Sequence, residues 1–210
     1  MQKNDRIRLK IEDMGVDGEG IGKLDGFPFF VKDAVIGDTV DAKIMKMKKN
    51  YGYARLMEVV EPSGIRQEPE CACARQCGGC QLQAMKYEAQ LDFKAKKIQN
   101  HLIRIGGLDG IEKPEVMGME DPWRYRNKAQ FPFGTDKDGR TVTGFYAAHS
   151  HRIVPCTKCR LGPEENQEIL EKILAHVEKY RIPAYDEETG KGVLRHVLIR
   201  KGFATGEIMV

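Results

Sequence analysis

The chain has 210 residues, 41% of them hydrophobic and 31% charged, and a formal net charge of +3. That length suits one or two domains with a real core, and no apolar run approaches the ~20 residues of a membrane-spanning helix. The N-terminus, MQKNDRIRLKIEDMG, lacks the apolar core of a signal peptide, which points to the cytoplasm. Its six cysteines therefore read as metal-binding or redox residues rather than disulfides.

Residues 6–60 read as a small all-β unit. Ile7, Leu9 and Ile11 alternate with charged residues, the period of a half-buried strand. Gly15, Gly18, Gly20 and Gly22 then make a glycine-rich turn with glycines at positive φ. It is no cofactor loop, because it leads into another strand and not into a helix. Phe29-Phe30-Val31, the alternation of Val40, Ala42 and Ile44, and the run 53–60 complete the pattern of a five-stranded barrel of the OB type. Between Lys43 and Arg55 there are five basic residues and no acidic one. Lys46, Lys48 and Lys49, followed by Tyr51 and Tyr53, combine cations with aromatic faces, as single-stranded nucleic-acid sites do. The competing reading is a solvated lysine face with the tyrosines packed inward.

Pro62-Ser63-Gly64 marks a boundary, and residues 65–82 hold four cysteines and few apolar side chains, so this segment needs an external staple. The spacing of Leu91, Ala95, Ile98, Leu102 and Ile105 predicts a helix from near Gln83 to Arg104, ended by Gly106-Gly107. A second helix is expected from about Pro163 to Tyr180, with Ile169, Leu170, Ile173, Leu174 and Val177 as its stripe. Strand-like runs fall at 128–133, 142–147, 151–154, 193–200 and 205–210, the last two as a hairpin through Lys201-Gly202. Arg124, Arg126 and Lys128 sit at alternate positions. In an extended strand they share one face, suited either to a phosphate backbone or to ion pairs with the acidic helix at 164–178. The sequence stops at Val210 within a strand pattern, which reads as a fragment.

The sharpest motif is Cys71-x5-Cys77-Gly78-Gly79-Cys80. Three thiols within ten residues, with paired glycines between them, can hold three corners of an iron–sulfur cluster. A fourth thiol must come from Cys73, Cys156 or Cys159. The rival is zinc on two CxxC pairs, Cys77/Cys80 and Cys156/Cys159. Their separation exceeds the ~15–20 residues of a compact zinc ribbon, and zinc leaves Cys71 and Cys73 unemployed. Among the histidines only His149 and His151 lie close together, where they flank a turn; no chemistry is assigned to them.

The segment CACARQCGGCQLQ, from Cys71 to Gln83, resembles the cluster segment of the bacterial 23S rRNA (uracil-5-)-methyltransferases that carry a 4Fe–4S centre. Cys159-Arg160-Leu161 stands where that family has a downstream Cys-Pro-Leu, after Gly144-Phe145-Tyr146 and Ser150-His151-Arg152-Ile153-Val154. Trp123-Arg124-Tyr125-Arg126-Asn127-Lys128 looks like its YRNK segment, and Leu194-Arg195-His196 through Thr205-Gly206-Glu207 like its central-domain hairpin. Residues 6–60 look like its TRAM domain, an RNA-binding barrel.

The resemblance implies an α+β chain in three parts: a TRAM barrel at 1–62, an iron–sulfur segment at 63–90 and a central RNA-recognition domain at 91–210. It implies a 4Fe–4S cluster on Cys71, Cys77, Cys80 and Cys159. With the barrel read as TRAM, Lys46, Lys48, Lys49, Arg124, Arg126 and Lys128 become the candidate contacts to ribosomal RNA. The implied reaction moves a methyl group from S-adenosylmethionine to C5 of a uridine. A cysteine adds to C6 of the base, and a carboxylate removes the C5 proton. In the family those groups lie in a Rossmann-like domain beyond the last residue of this sequence, so the expectation is a monomeric, RNA-holding chain that is inactive alone. Two other readings stay open: a zinc-stabilised non-catalytic RNA-binding protein, and a redox protein working through the cluster.

Overall fold

Alternation carries the first half of the molecule. In the computed structural model, which describes all 210 residues, β1 (Arg6–Met14) turns Ile7, Leu9 and Ile11 inward and its charged residues outward. It is followed by β2 (Gly20–Leu24), β3 (Phe27–Lys32), β4 (Thr39–Met47) and β5 (Gly52–Glu61), which close into a barrel in the order β1-β2-β3-β5-β4. Only β3 and β5 run parallel. Leu9, Ile11, Phe29, Val31, Val40, Ala42 and Ile44 fill the interior. The barrel is the expected one, with one refinement in the glycine-rich stretch. Of its four glycines only Gly18 has a positive φ. Gly20 and Gly22 belong to β2, where a Cβ on Gly20 would lie 2.9 Å from Ala34 and one on Gly22 2.7 Å from the Lys10 carbonyl. Their role is close strand packing and not the turn.

Helix α1 (Tyr87–Arg104) begins four residues later than the apolar spacing predicts. The preceding residues are already committed: the Ala84 carbonyl accepts from Gln67 N–H, and Lys86 N–H donates to Ile65, both at 2.9 Å. This short pairing buries Met85 beside Met14 and Val35. Of the predicted stripe only Ala95 is buried, and Ile105 is 80% exposed. Gly107, at φ 66°, ends the helix as expected.

The second unit is an antiparallel five-stranded sheet in the order β10-β9-β6-β7-β8, made of β6 (Lys128–Thr135), β7 (Thr141–Tyr146), β8 (Ile153–Pro155), β9 (His196–Lys201) and β10 (Ile208–Met209). Helix α2 (Glu165–Tyr180) lays Leu170 on Phe131 and Ile199 of the sheet, and all three are essentially inaccessible. Arg181, in the left-handed region at φ 52°, ends this helix.

The chain divides differently from the expected three parts. One compact unit comprises Met1–Glu70 and Gln81–Glu120, the other Cys71–Cys80 and Asp121–Val210. The barrel unit thus keeps α1, which the sequence reading gave to the central domain. The ten-residue cysteine loop is not a separate segment but part of the sheet unit. No helix is long and apolar enough to cross a membrane.

Candidate functional site

All six cysteines fall in the second unit, and none is in a disulfide. The loop 71–80 is tied to the end of β7. Cys77 forms a β-bridge with Ala147, and Gly78 N–H donates to the Tyr146 carbonyl at 3.0 Å. Inside the loop, Ala74 N–H bonds to Cys71, and Gln76 and Cys77 N–H to Cys73. Of the paired glycines, Gly78 is the constrained one. A Cβ there would lie 3.1 Å from backbone atoms of Ala148 and Tyr146, whereas one on Gly79 would meet only Cys77 Sγ at 3.4 Å. Neither has a positive φ.

The other two cysteines arrive from the strand end. Cys73 Sγ donates to the Pro155 carbonyl at 3.6 Å, and Cys156 N–H follows at once, bonded to Thr143 O at 3.1 Å. Gly144 permits this approach: a Cβ there would collide with the Val154 carbonyl and lie 2.6 Å from Cys156 N. Nothing in the local spelling of β7 marks Gly144 as essential; only its partner strand does.

Burial pushes the Cys73, Cys77 and Cys156 thiols above their ordinary range. The contact with Cys156 lowers Cys73, whereas most neighbouring sulfurs add to the rise, Cys71 and Cys159 on all three, Cys80 on Cys77 and Cys73 on Cys156. Gly79 N–H, donating to Cys77 Sγ at 3.3 Å, works the other way. Half-buried thiols this crowded resist becoming thiolates together. A bound cationic centre reverses that balance, since metal ligation displaces the thiol protons. The donor set is chemically apt for a soft metal. No three Cys, His, Asp or Glu side chains, however, gather around one point as a metal-ion site. This holds alike for Cys77, Cys80, Cys156 and Cys159, the set a zinc ion would use, and for Cys71, Cys77, Cys80 and Cys159, the set an iron–sulfur cluster would use.

Arg124, Arg126 and Lys128 do not form the expected three-cation strand face. Arg124 has φ 55°, and β6 starts only at Lys128. Backbone bonds instead pair Arg124 N–H with Arg160 O and Arg126 N–H with Leu161 O, each at 2.9 Å. The Arg124 guanidinium donates to the carbonyls of Cys159 and Gly162 at 2.9 Å and to Glu164 Oε1 at 3.2 Å. It acts as a clamp on the segment that carries Cys159, closer to the ion-pair reading than to the phosphate one. Arg126 and Lys128 remain exposed.

On the barrel, Lys46, Lys48 and Lys49 are exposed at the end of β4 and in the turn after it. The tyrosines do not pack inward. Tyr51 and Tyr53 stand on the outer surface with rings 5.6 Å apart, and Phe30, outward by the alternation of β3, lies 5.6 Å from Tyr51 and 5.8 Å from Tyr53. Tyr53 is 40% exposed. The sequence reading places Phe30 in a strand run but not on the aromatic face, although its position between inward Phe29 and Val31 dictates where it points. His149, at φ 54°, and His151 flank a turn as expected, and His151 Nδ1 meets Glu187 Oε2 at 2.7 Å.

A family model described as the TRAM domain matches residues 2–57. All 210 residues align at 44% identity with 45% of a protein of Clostridium tetani named as an RNA methyltransferase. They align at 43% identity with 46% of another so named from Listeria monocytogenes. The chain therefore spans about half the length of these relatives. Among solved structures, the tRNA (uracil-54, C5)-methyltransferase of Pyrococcus abyssi, in complex with S-adenosyl-L-homocysteine, superposes with a TM-score of 0.71 at 27% identity. That match covers 96% of this chain and 44% of the other.

Proposed function

From a chain that carries a TRAM domain and is related over its whole length to RNA methyltransferases, we infer the RNA-holding part of an enzyme that methylates C5 of uridine in ribosomal RNA, with S-adenosylmethionine as methyl donor. The observation that carries the uridine-C5 reading is the match, over 96% of this chain, to a solved tRNA (uracil-54, C5)-methyltransferase. The ribosomal assignment rests on the cysteine motif at 71–83. The role of these residues is to bind and orient RNA; methyl transfer is the work of groups outside this chain. With radiolabelled S-adenosylmethionine, the 210-residue chain is expected to retain ribosomal RNA on a filter and to incorporate no methyl label. Label appearing in the RNA would overturn that division of labour.

Lys46, Lys48, Lys49, Arg126 and Lys128 are the proposed phosphate contacts, with Arg124 acting mainly through the loop it clamps. Reversing Lys46, Lys48 and Lys49 to glutamate is expected to weaken RNA binding and to flatten its salt dependence, because each lost phosphate contact removes about 0.7 from the single-strand slope. Binding that keeps its affinity and slope would move the grip off this turn.

Cys71, Cys77, Cys80 and Cys159 are proposed to hold a 4Fe–4S cluster. The support is the motif spacing, the all-thiol donor set and the gathering of loop 71–80 with the 156–159 segment in one unit. Such a centre would cross-link positions far apart in sequence and couple metal to folding. Anaerobically purified protein should then be brown, with about four irons and four sulfides per chain. Arg124→Ala should lower that content by loosening the Cys159 loop, while Cys73→Ala and Cys156→Ala should leave it near full. A colourless protein with one zinc would sink the assignment.

A further inference from the structure

Two of the six cysteines fall outside the proposed ligand set, and the fold brings those two together. Cys73 lies on the 71–80 loop and Cys156 follows directly on β8, both in the sheet unit. The Cys73 thiol reaches the carbonyl of Pro155, 82 positions further along the chain, at 3.6 Å. The Cys156 thiol in turn donates to Cys73 Sγ.

Both backbones are fixed where this contact is made. The Cys73 carbonyl accepts from Gln76 N–H at 3.0 Å and from Cys77 N–H at 2.8 Å. Cys156 N–H is bonded to Thr143 O at 3.1 Å, and Thr143 is itself buried, its hydroxyl donating to the Pro132 carbonyl at 2.9 Å. The thiols already meet, so an S–S bond of about 2.05 Å needs a short approach of two side chains and no new meeting of segments.

Cys73 also donates to Cys71. Those two make the poorer pair, because they share one tight turn, held by the Ala74 N–H bond to Cys71 O at 3.0 Å. Bridging them would close almost no loop, whereas a cross-link between distant positions constrains the unfolded chain far more. A bond from Cys73 to Cys156 would tie the start of the loop to β8, as Cys77 and Gly78 tie its later part to the end of β7.

We infer that Cys73 and Cys156 form a disulfide by exchange with a small disulfide of the glutathione type, and that this bond holds the 71–80 loop on the sheet. Cys73 Sγ attacks one sulfur of the small disulfide. That S–S bond breaks, a mixed disulfide forms on Cys73, and one small thiol leaves with the Cys73 proton. Cys156 Sγ then attacks Cys73 Sγ and expels the second small thiol, which takes the Cys156 proton. The two cysteines lose two electrons, and the small disulfide gains them. Burial holds the protons on both thiols and so sets the pace of the exchange, while the closeness of the pair sets its end point. The inference rests on the metal-centre reading above only in taking the two thiols which that reading leaves over.

The test equilibrates the whole 210-residue chain, purified anaerobically with the metal it holds, in mixtures of reduced and oxidised glutathione. Acid quenching, alkylation and trypsin follow. Trypsin leaves Cys73 on peptide 67–75 and Cys156 on peptide 153–158, so their linkage is read by mass. Linked peptides are expected from the wild type and from neither Cys156→Ser nor Cys73→Ser, the second of which separates Cys73 from Cys71 on their shared peptide. Urea unfolding is followed at Trp123, the chain's single tryptophan, in the same unit. Oxidation should raise the midpoint by about 1–3 M in the wild type and in neither serine variant. The reduced variants should unfold with the reduced wild type. Glutathione adducts without an internal bond, a bond to peptide 76–86 or to Cys159 instead, or equal midpoints for oxidised and reduced wild type would each overturn the pair. Iron released in proportion to oxidation would do the same, because it would make one of the two a ligand. A 73–156 bond formed in protein that holds no iron would remove the cluster and support the pair.

Discussion

Asp38→Ala is expected to destabilise the barrel unit by about 3–5 kcal/mol, as removal of one partner from a buried ion pair does. Asp38 has no exposed surface, and its carboxylate serves four donors. Val35 N–H donates at 2.7 Å and Ser63 N–H at 2.9 Å, while Arg66 approaches through Nε at 3.0 Å and Nη2 at 2.9 Å. Arg66 is itself only 9% exposed and donates onward to the Asp33 carbonyl. Alanine would leave the largely buried Arg66 guanidinium with the Asp33 carbonyl alone and take the acceptor from the Val35 and Ser63 amides. Asp38→Asn keeps the shape but presents an amide where only acceptors fit, so it should also be clearly destabilised. Removing the exposed pair of Arg8 and Asp41 should barely move the transition, because solvent already screens it. The measurement is urea unfolding followed by far-ultraviolet circular dichroism. An Asp38→Ala midpoint within error of wild type would mean that the buried network carries no net stability.

Gly144→Ala is the second large effect, at about 3 kcal/mol, and it is felt in the sheet unit. The new methyl would overlap backbone atoms of Val154 and Cys156. No rotamer relieves such a clash, so β8 must move off β7. The register Gly144↔Pro155 and the Cys156 N–H bond to Thr143 would be lost with it. The segment bearing Cys156 and Cys159 would follow, and the iron content proposed above should fall together with stability. Trp123 is the chain's single tryptophan and lies in this unit under the Arg160 guanidinium at 5.1 Å, so its fluorescence reports the transition directly. Gly79→Ala is the matched control. It adds the same methyl within the cysteine loop but meets only Cys77 Sγ at an ordinary distance. Equal midpoints for the two variants would show that the sheet absorbs the clash, and Gly144 would then have no special claim on the site.

Both positions show what local reading misses. Asp38 in the sequence is an ordinary turn residue between Gly37 and Thr39, and nothing nearby announces that Arg66 will be its partner. Gly144 looks like any glycine in a strand. Their weight comes from atoms supplied by distant segments. The late start of α1 has the same origin. The apolar spacing permits a helix before Tyr87, but two backbone bonds to residues 65–67 claim that stretch first. Arg124 is a third case. Its alternation with Arg126 and Lys128 is a genuine strand pattern, overridden by a left-handed backbone turn and by carbonyls of the Cys159 loop that only the folded unit brings within reach.

What the sequence determined by itself was whatever depends on near neighbours. Period-two alternation picked out much of the inward set of the barrel, Ile7, Leu9, Ile11, Val40, Ala42 and Ile44, because a strand's side chains must take opposite faces in turn. The spacing of Ile169, Leu170, Ile173 and Val177 found α2 for the matching helical reason. The run from Cys71 to Gln83 was distinctive enough to suggest the relatives. The tertiary structure alone decided which distant segments meet. It moved the cysteine loop into the sheet unit, put Pro155 beside Cys73, and paired Phe30 with Tyr53 across β3 and β5. Strand register is a property of pairs of segments, fixed by bulges and closure of the whole barrel, and no single segment contains it.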